Sequence, residues 1–341
     1  MGGPKTGTRA FVHRGGGVQI AGTVIACDAA VGTDLVFLSH APALGVNARR
    51  ALPRLGGGRR QVLTTDLTLA LLGPAGDRLK AHALPAAYGR PFGLGDLRLE
   101  MFPSGFMPGA ASLLCEQAGR RIVYAGSIAA ASSEVRAADS LCIDATFGSE
   151  ALAFPPRAQA LADVGAAVRR VLGDGRTPVV LVDPVAIAVD VGAALAADRI
   201  GLFAHRSIVQ AAAAFRQAGL PAPALQRFAG KVGQGEALLW PASVRVPPRR
   251  TGTRLHGLVL VSAEAGRGAP AVPGAGDPDC ARVIFPTAAD FGALVRYVEA
   301  TGATEVALVN APGDDLARAL ASRGIDVYTL GPPRQIDLFA A

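Results

Sequence analysis

Three polar residues close apolar, strand-like runs. Asp28 follows Val24-Ile25-Ala26-Cys27, His40 follows Val36-Phe37-Leu38-Ser39, and Asp144 follows Cys142-Ile143. Two carboxylates and an imidazole at strand ends are residue types from which hydrolases build metal centres and acid–base pairs. A two-zinc hydrolase uses its metals to make hydroxide and to clamp the oxygens of the bond it breaks. Each zinc takes three or four N, O or S protein donors, so three scattered groups are too few for two zincs. Nothing in the spacing recruits Asp66 as a further ligand. Each of the three also has a structural reading. Asp28 can orient a loop, His40 can bond locally after its strand, and Asp144 with Thr146 can form a turn or cap. His205 stands just before a helical run and reads as packing at that helix start, while His13, His82 and His256 are isolated. Gly-x-Ser-x-Gly, a P-loop and a Gly-x-Gly-x-x-Gly placed after a strand are all missing. Gly230-Lys231-Val232-Gly233-Gln234-Gly235 lacks the P-loop order and reads as a loop.

Order and spacing say more than any one of these residues. The segment Ser104-Gly105-Phe106-Met107-Pro108-Gly109-Ala110-Ala111-Ser112 is followed by a hairpin pattern, then Gly126-Ser127, then Asp144-Ala145-Thr146-Phe147-Gly148. Leu63-Thr64-Thr65-Asp66 precedes a helical run, Leu202-Phe203-Ala204-His205 another, and Pro286-Thr287-Ala288-Ala289-Asp290-Phe291 a third. Val306 to Pro312 is a strand-like run ending in Asn310-Ala311-Pro312. From about residue 15 to 330 this order resembles the β-CASP nucleases, a nucleic-acid-processing branch of the metallo-β-lactamase superfamily. Within that branch it is similar to the bacterial DNA-ligase-associated exonucleases and, through them, to RNA 3′-end processing nucleases.

The resemblance implies ligand positions that this chain has emptied. The family follows its strand with His-x-His-x-Asp-His, where this chain keeps His40 and carries Pro42, Leu44 and Gly45. The family's turn histidine falls on Phe106, its metal-bridging aspartate on Ser127, and two further histidines on Ala288 and Ala311. Asp28 and Asp144 are retained. Removing metals from a cluster of carboxylates would leave buried like charges at heavy cost, and Phe, Leu, Ala and Ser avoid that cost. The resemblance therefore implies no bound metal, zinc having been lost, and Phe106 and Leu44 filling the space. Inactive members of the superfamily act as partners of active ones. The expected function is a catalytically inactive homologue serving as a nucleic-acid-binding or scaffolding subunit in DNA repair or RNA processing. Its protein partner would be an active nuclease, a DNA ligase or a helicase. The alternative is an active metal-dependent hydrolase or exonuclease with a rebuilt site.

The elements that must position these residues follow from hydrophobic periodicity. The first 140 residues alternate short β-like runs with Gly/Pro turns: Val18–Ala26, Asp34–Ser39, Leu97–Phe102 and Ser112–Glu116. Ala111–Glu116 and Arg121–Tyr124, joined by Gln117-Ala118-Gly119-Arg120, predict a hairpin. From Pro156 the pattern changes to helices over Ala158–Leu172, Ile187–Ala197 and Ser207–Ala218, with buried strands at Pro178–Val182 and Leu202–Ala204. Strands alternating with helices predict a parallel sheet. After Pro286 come helix Phe291–Thr301, strand Glu305–Val309, helix Asp314–Ser322 and strand Asp326–Leu330.

The expected fold class is α/β. In the terms of the resemblance it is an αββα metallo-β-lactamase sandwich over residues 1–150 and 286–341, with a β-CASP-type α/β domain inserted at 151–285.

Composition bounds the partners. The 341 residues carry a formal net charge of +7, and only Lys5, Lys80 and Lys231 of the 34 basic residues are lysine. Arginine suits bidentate phosphate contacts, although GC-rich coding also favours it. Val246-Pro247-Pro248-Arg249-Arg250-Thr251-Gly252-Thr253-Arg254 is the best basic cluster, so Arg249, Arg250 and Arg254 are the expected nucleic-acid contacts. The Gly/Pro/Ala-rich stretch Gly266–Asp279 reads as a mobile loop. The four cysteines are widely spaced, which suits buried free thiols in a reducing cytoplasm. No apolar run reaches membrane-span length and the N-terminus lacks a secretory pattern, so the expectation is a cytoplasmic protein without membrane contact.

Overall fold

The computed structural model describes residues 9–14, 16–29, 34–41, 60–84, 86–244, 255–263 and 280–331. Pro42, Leu44, Gly45, Arg249, Arg250 and Arg254 lie outside the described residues, as does the Gly266–Asp279 stretch. The chain is mixed α/β and divides into two compact units, Met1–Leu152 with Ala289–Ala341, and Ala153–Ala288.

The first unit holds two sheets. One runs β1 (Phe11–Arg14), β2 (Gly17–Ile20), β3 (Ile25–Cys27), β4 (Leu35–Phe37), β5 (Gln61–Leu63) and β6 (Ala83–Leu84) side by side in chain order. The other contains β7 (Phe92–Leu94), β8 (Leu97–Pro103), β9 (Ala111–Gln117), β10 (Arg120–Gly126), β11 (Ser140–Asp144), β18 (Glu305–Val309) and β19 (Asp326–Leu330). Its order is β19-β18-β11-β10-β9-β8-β7. The β7-to-β10 part is antiparallel; β10, β11, β18 and β19 are parallel.

Alternation along the strands builds the layers, because successive side chains point to opposite faces. Leu113 and Cys115 of β9, Ile122 and Tyr124 of β10, Cys142 of β11 and Ala307 of β18 pack with Ile20, Cys27, Phe37 and Leu63 of the first sheet. Leu114, Val123, Leu141, Ile143, Val306 and Leu308 point the other way, onto α6 (Phe291–Thr301) and α7 (Asp315–Ala321). On the far side of the first sheet, Val36, Leu38 and Val62 meet Leu69 of α1 (Asp66–Leu71) and Leu79 of α2 (Pro74–Leu79). The layers are therefore helix, sheet, sheet, helix. Each fully buried Leu, Ile, Val or Phe contributes about 1.5–3 kcal/mol.

One strand expectation needs correction. The run Val18–Ala26 is two antiparallel strands, β2 and β3, with Val18 opposite Cys27. The polar Thr23 makes the break: its Oγ1 donates to Ile20 O at 2.8 Å and accepts from Ile25 N–H at 3.1 Å.

The second unit is a six-stranded, all-parallel sheet in the order β14-β13-β15-β12-β16-β17. These strands are β12 (Thr177–Val182), β13 (Gly201–Ala204), β14 (Gln226–Arg227), β15 (Glu236–Trp240), β16 (Leu255–Ser262) and β17 (Ala281–Ile284). Helices α3 (Arg157–Gly173), α4 (Val185–Ala197) and α5 (Arg206–Gln217) alternate with them. His205 is the N-cap of α5, its Nδ1 accepting from Ser207 N–H at 3.3 Å, with its ring edge-on to Trp240.

Cys27, Cys115 and Cys142 are buried free thiols, and burial pushes all three up from their ordinary values. Among the described residues no helix is long and apolar enough to cross a membrane.

Candidate functional site

The polar residues singled out above meet at one end of the first unit. Asp28 follows β3, His40 follows β4, Ser127 follows β10, Asp144 ends β11 and Asn310 follows β18. Carboxyl ends of parallel strands are where open α/β sheets present their ligand-binding residues. The turn 104–110, between β8 and β9, brings Phe106 to the same place, its ring centroid 4.9 Å from that of His40 and nearly perpendicular to it.

Two hydrogen-bonded groups occupy the site. In the first, Asp28 sits in the left-handed region, at φ 50°. An aspartate tolerates that conformation better than most residues. Its Oδ1 accepts from Ser39 N–H at 2.8 Å. Its Oδ2 accepts from Ser39 Oγ at 2.6 Å and from the Tyr124 hydroxyl at 2.9 Å. Ser39 Oγ lies 2.8 Å from His40 Nδ1. The serine has one proton and gives it to Asp28, which makes His40 Nδ1 the donor and leaves the lone pair on Nε2. Burial lowers the His40 imidazole from its ordinary value, while Asp28 and Asp144 act to raise it. Burial and neighbouring Asp28 hold Tyr124 well above its usual range, so its hydroxyl stays protonated and donates.

In the second group Asp144 is the shared acceptor. Oδ2 accepts from Ser127 Oγ at 2.6 Å. Oδ1 accepts from Thr146 N–H at 3.0 Å, from Thr146 Oγ1 at 2.6 Å and from Asn310 Nδ2 at 3.4 Å. Ser127 thus serves the Asp144 carboxylate as a donor. Ala311 packs partly buried against the core under α6 and α7.

The turn that carries Phe106 is tied down locally. Gly105 has φ +71°, and a Cβ there would lie 2.5 Å from the Ser132 backbone, so only glycine fits. Ser132 Oγ donates to Gly105 O at 3.1 Å and Ser133 Oγ to Ser104 O at 2.5 Å. Ala289 N–H, beside Ala288, donates to Ile128 O at 2.8 Å.

Among the described residues no three of His, Cys, Asp and Glu come together in a way that could hold a metal. Residues 42–59, outside the described set, contain none of those four types. What the arrangement offers is one oriented, neutral imidazole and two carboxylates occupied by protein donors. Ser39, the hydroxyl nearest the imidazole, is 2% exposed and already committed to Asp28.

Sequence reasoning placed Asp28, His40, Phe106, Ser127 and Asp144, and the structure brings these five together. Tyr124 is not among the expected site residues, and Asn310 enters the sequence reading only as the neighbour of Ala311. The inward-facing phase of β10 marks Tyr124 as buried but cannot say what its hydroxyl meets.

No protein-family model matches the chain. The chain is 22% identical over 292 residues to a protein of Opitutus terrae named "Probable DNA ligase". That match takes in 82% of this chain and 28% of the relative, so the chain spans less than a third of the relative's length.

Proposed function

We propose that this chain is a catalytically inactive homologue of the metallo-β-lactamase/β-CASP nucleases. In this reading it works as a nucleic-acid-binding or scaffolding subunit of a DNA repair or RNA processing complex. The observation that carries the reading is the state of the two carboxylates. Asp28 and Asp144, which the resemblance places beside metals, are both engaged by protein donors from Ser39, Tyr124, Ser127, Thr146 and Asn310. A hydrocarbon ring, Phe106, stands against the one retained imidazole. The four layers of the first unit, with a parallel α/β unit inserted between β11 and β18, fit the architecture that the resemblance implies. The naming of the relative as a DNA ligase supports a nucleic-acid setting and makes a ligase the first partner to try.

Protein purified without chelator and analysed for metals, then incubated with labelled single- and double-stranded DNA and RNA with added Mn²⁺ or Zn²⁺, tests the reading. The expected results are no stoichiometric transition metal and no cleavage. One or two tightly held metals per chain, or metal-dependent cleavage abolished by Asp144→Asn, would overturn it in favour of a hydrolase with a rebuilt site.

A further inference from the structure

The turn that carries Phe106 also holds up the wall of a separate cavity. Thr65 Oγ1 and Thr68 Oγ1 both donate to Gly109 O, at 2.7 and 2.9 Å, and the Tyr88 hydroxyl donates to Ala110 O at 2.9 Å. Gly109 has φ +87°, and a Cβ there would press on Leu67 and on Thr68 N at 3.1–3.2 Å. The start of α1 and the Tyr88 segment are thereby fixed against one turn. Between them opens a cavity of about 540 Å³, whose lining includes Thr65, Asp66, Tyr88, Arg90, Pro91 and Phe92. That volume lies within the roughly 300–1,000 Å³ of small-molecule sites.

Two features of the lining point to a ligand. Tyr88 is 38% exposed although its hydroxyl is bonded, so an aromatic ring is presented to solvent from a fixed anchor. Asp66 and Arg90 carry opposite charges in one cavity, yet they form no ion pair with each other. Among the described residues neither side chain has another partner. A guanidinium free to bond in a fork matches a phosphate. Aromatic rings offer a face for any base to stack on, and a carboxylate accepts from a base amine.

We propose that this cavity binds one nucleotide unit. Its phosphate lies on Arg90, its base packs against Tyr88 and Phe92, and a base amine donates to Asp66. The proposal deepens the nucleic-acid reading above and rests on it: the unit belongs to a bound strand, and a free nucleotide is the other source of the same chemistry. Thymine has no exocyclic amine, so a thymidine unit is the weakest ligand.

The test uses the full chain. Calorimetric titration with dAMP, dCMP, dGMP and TMP is combined with fluorescence anisotropy of a labelled single-stranded oligonucleotide at ~50 mM salt. Arg90 and Asp66 are at the surface, and unchanged melting curves would establish that Arg90→Ala and Asp66→Ala fold. The expected results are saturable binding of one mononucleotide per chain, weakest for TMP, and displacement of the oligonucleotide by mononucleotide. Arg90→Ala should lose at least tenfold in affinity, and Asp66→Ala should lose the preference over TMP. Mononucleotide binding without displacement overturns the strand assignment in favour of a free nucleotide. No saturation by about 10 mM, or equal binding by Arg90→Ala, overturns the site. If the oligonucleotide still binds in that case, the wider nucleic-acid reading survives; if no nucleic acid binds, both fall.

Discussion

His40 is held at Nδ1 by Ser39 and faced by the Phe106 ring, and both contacts have measurable consequences. Burial keeps the imidazoles of His40 and His205 below 6.5 in the folded chain. Between those lowered values and 6.5 the unfolded chain binds more protons, so stability rises with pH across that window. The contribution is complete above about pH 6.5 and is lost as pH falls through the folded values. Urea midpoints measured from about pH 5 to 7.5 should show this slope, and His40→Asn should flatten part of it. An unchanged slope in that variant would contradict a buried, neutral His40. The Phe106 contact is tested by replacing the phenyl ring with an imidazole. Aromatic pairs are worth about 0.5–1.5 kcal/mol beyond the area they bury. Phe106→His should therefore destabilise by about 1 kcal/mol, read in denaturant melts. Zinc should not restore the loss, since two imidazoles fall short of the three or four donors a zinc takes and the nearby Asp28 and Asp144 carboxylates are already held by protein donors. An equal or higher melting temperature would mean that the Phe106 ring does not stabilise the site.

Strands β11 and β18 carry different chemistry at their two ends. Their carboxyl ends present Asp144 and Asn310 to the candidate site. Their amino ends hold a buried structural network in which Glu305 Oε2 accepts from Ser140 Oγ at 2.7 Å and from Arg120 at 2.5 Å. Glu305 Oε1 accepts from Ala10 N–H at 3.0 Å and so anchors the entry to β1. Leaving buried donors without a partner costs about 1–3 kcal/mol, and Glu305→Ala should destabilise by that order. Amide exchange at Phe11–Arg14 should quicken in the variant while α5 in the second unit stays protected. Unchanged exchange in β1 would show that the network does not anchor it. Elements like these were largely legible before the structure, because both periodicities are strong. The hairpin expected over Ala111–Tyr124 is β9 and β10, and the helices at Ala158, Ile187, Ser207 and Phe291 start within two residues of expectation. The Val18–Ala26 run misled because its alternation continues through a turn made by one threonine hydroxyl. The site was legible only as strand ends. Asp28 and Asp144 stood out through the resemblance, which sets them at strand ends, but Tyr124 lies 96 residues from Asp28 and bonds to it across the two-sheet core. The Asp66–Arg90 cavity has no sequence signal, since its walls are tied to a turn more than 15 residues away in the chain, through Gly109 and Ala110.

At the scale of the whole molecule, charge is the property to test. A chain with net charge +7, and with arginine as nearly all of its basic residues, favours phosphate contact without specifying sequence. Arg249, Arg250 and Arg254, the basic cluster singled out in the sequence, follow Pro247 and Pro248. If these arginines contact phosphates, each contact releases counterions, and affinity must fall steeply as salt rises. Anisotropy with single- and double-stranded DNA and RNA should therefore show binding at ~50 mM salt that weakens strongly by ~200 mM. Replacing all three arginines by glutamate should weaken all nucleic-acid ligands about equally and make the salt dependence shallower, with little change in melting temperature. That uniform loss differs from the base-dependent effect expected at Asp66, so the two sets of variants report on different contacts. Binding weaker than roughly 10 μM for all four ligands would remove the nucleic-acid role and leave a protein scaffold. In that case the same arginines would be tested against an acidic protein surface, with a DNA ligase as the first candidate.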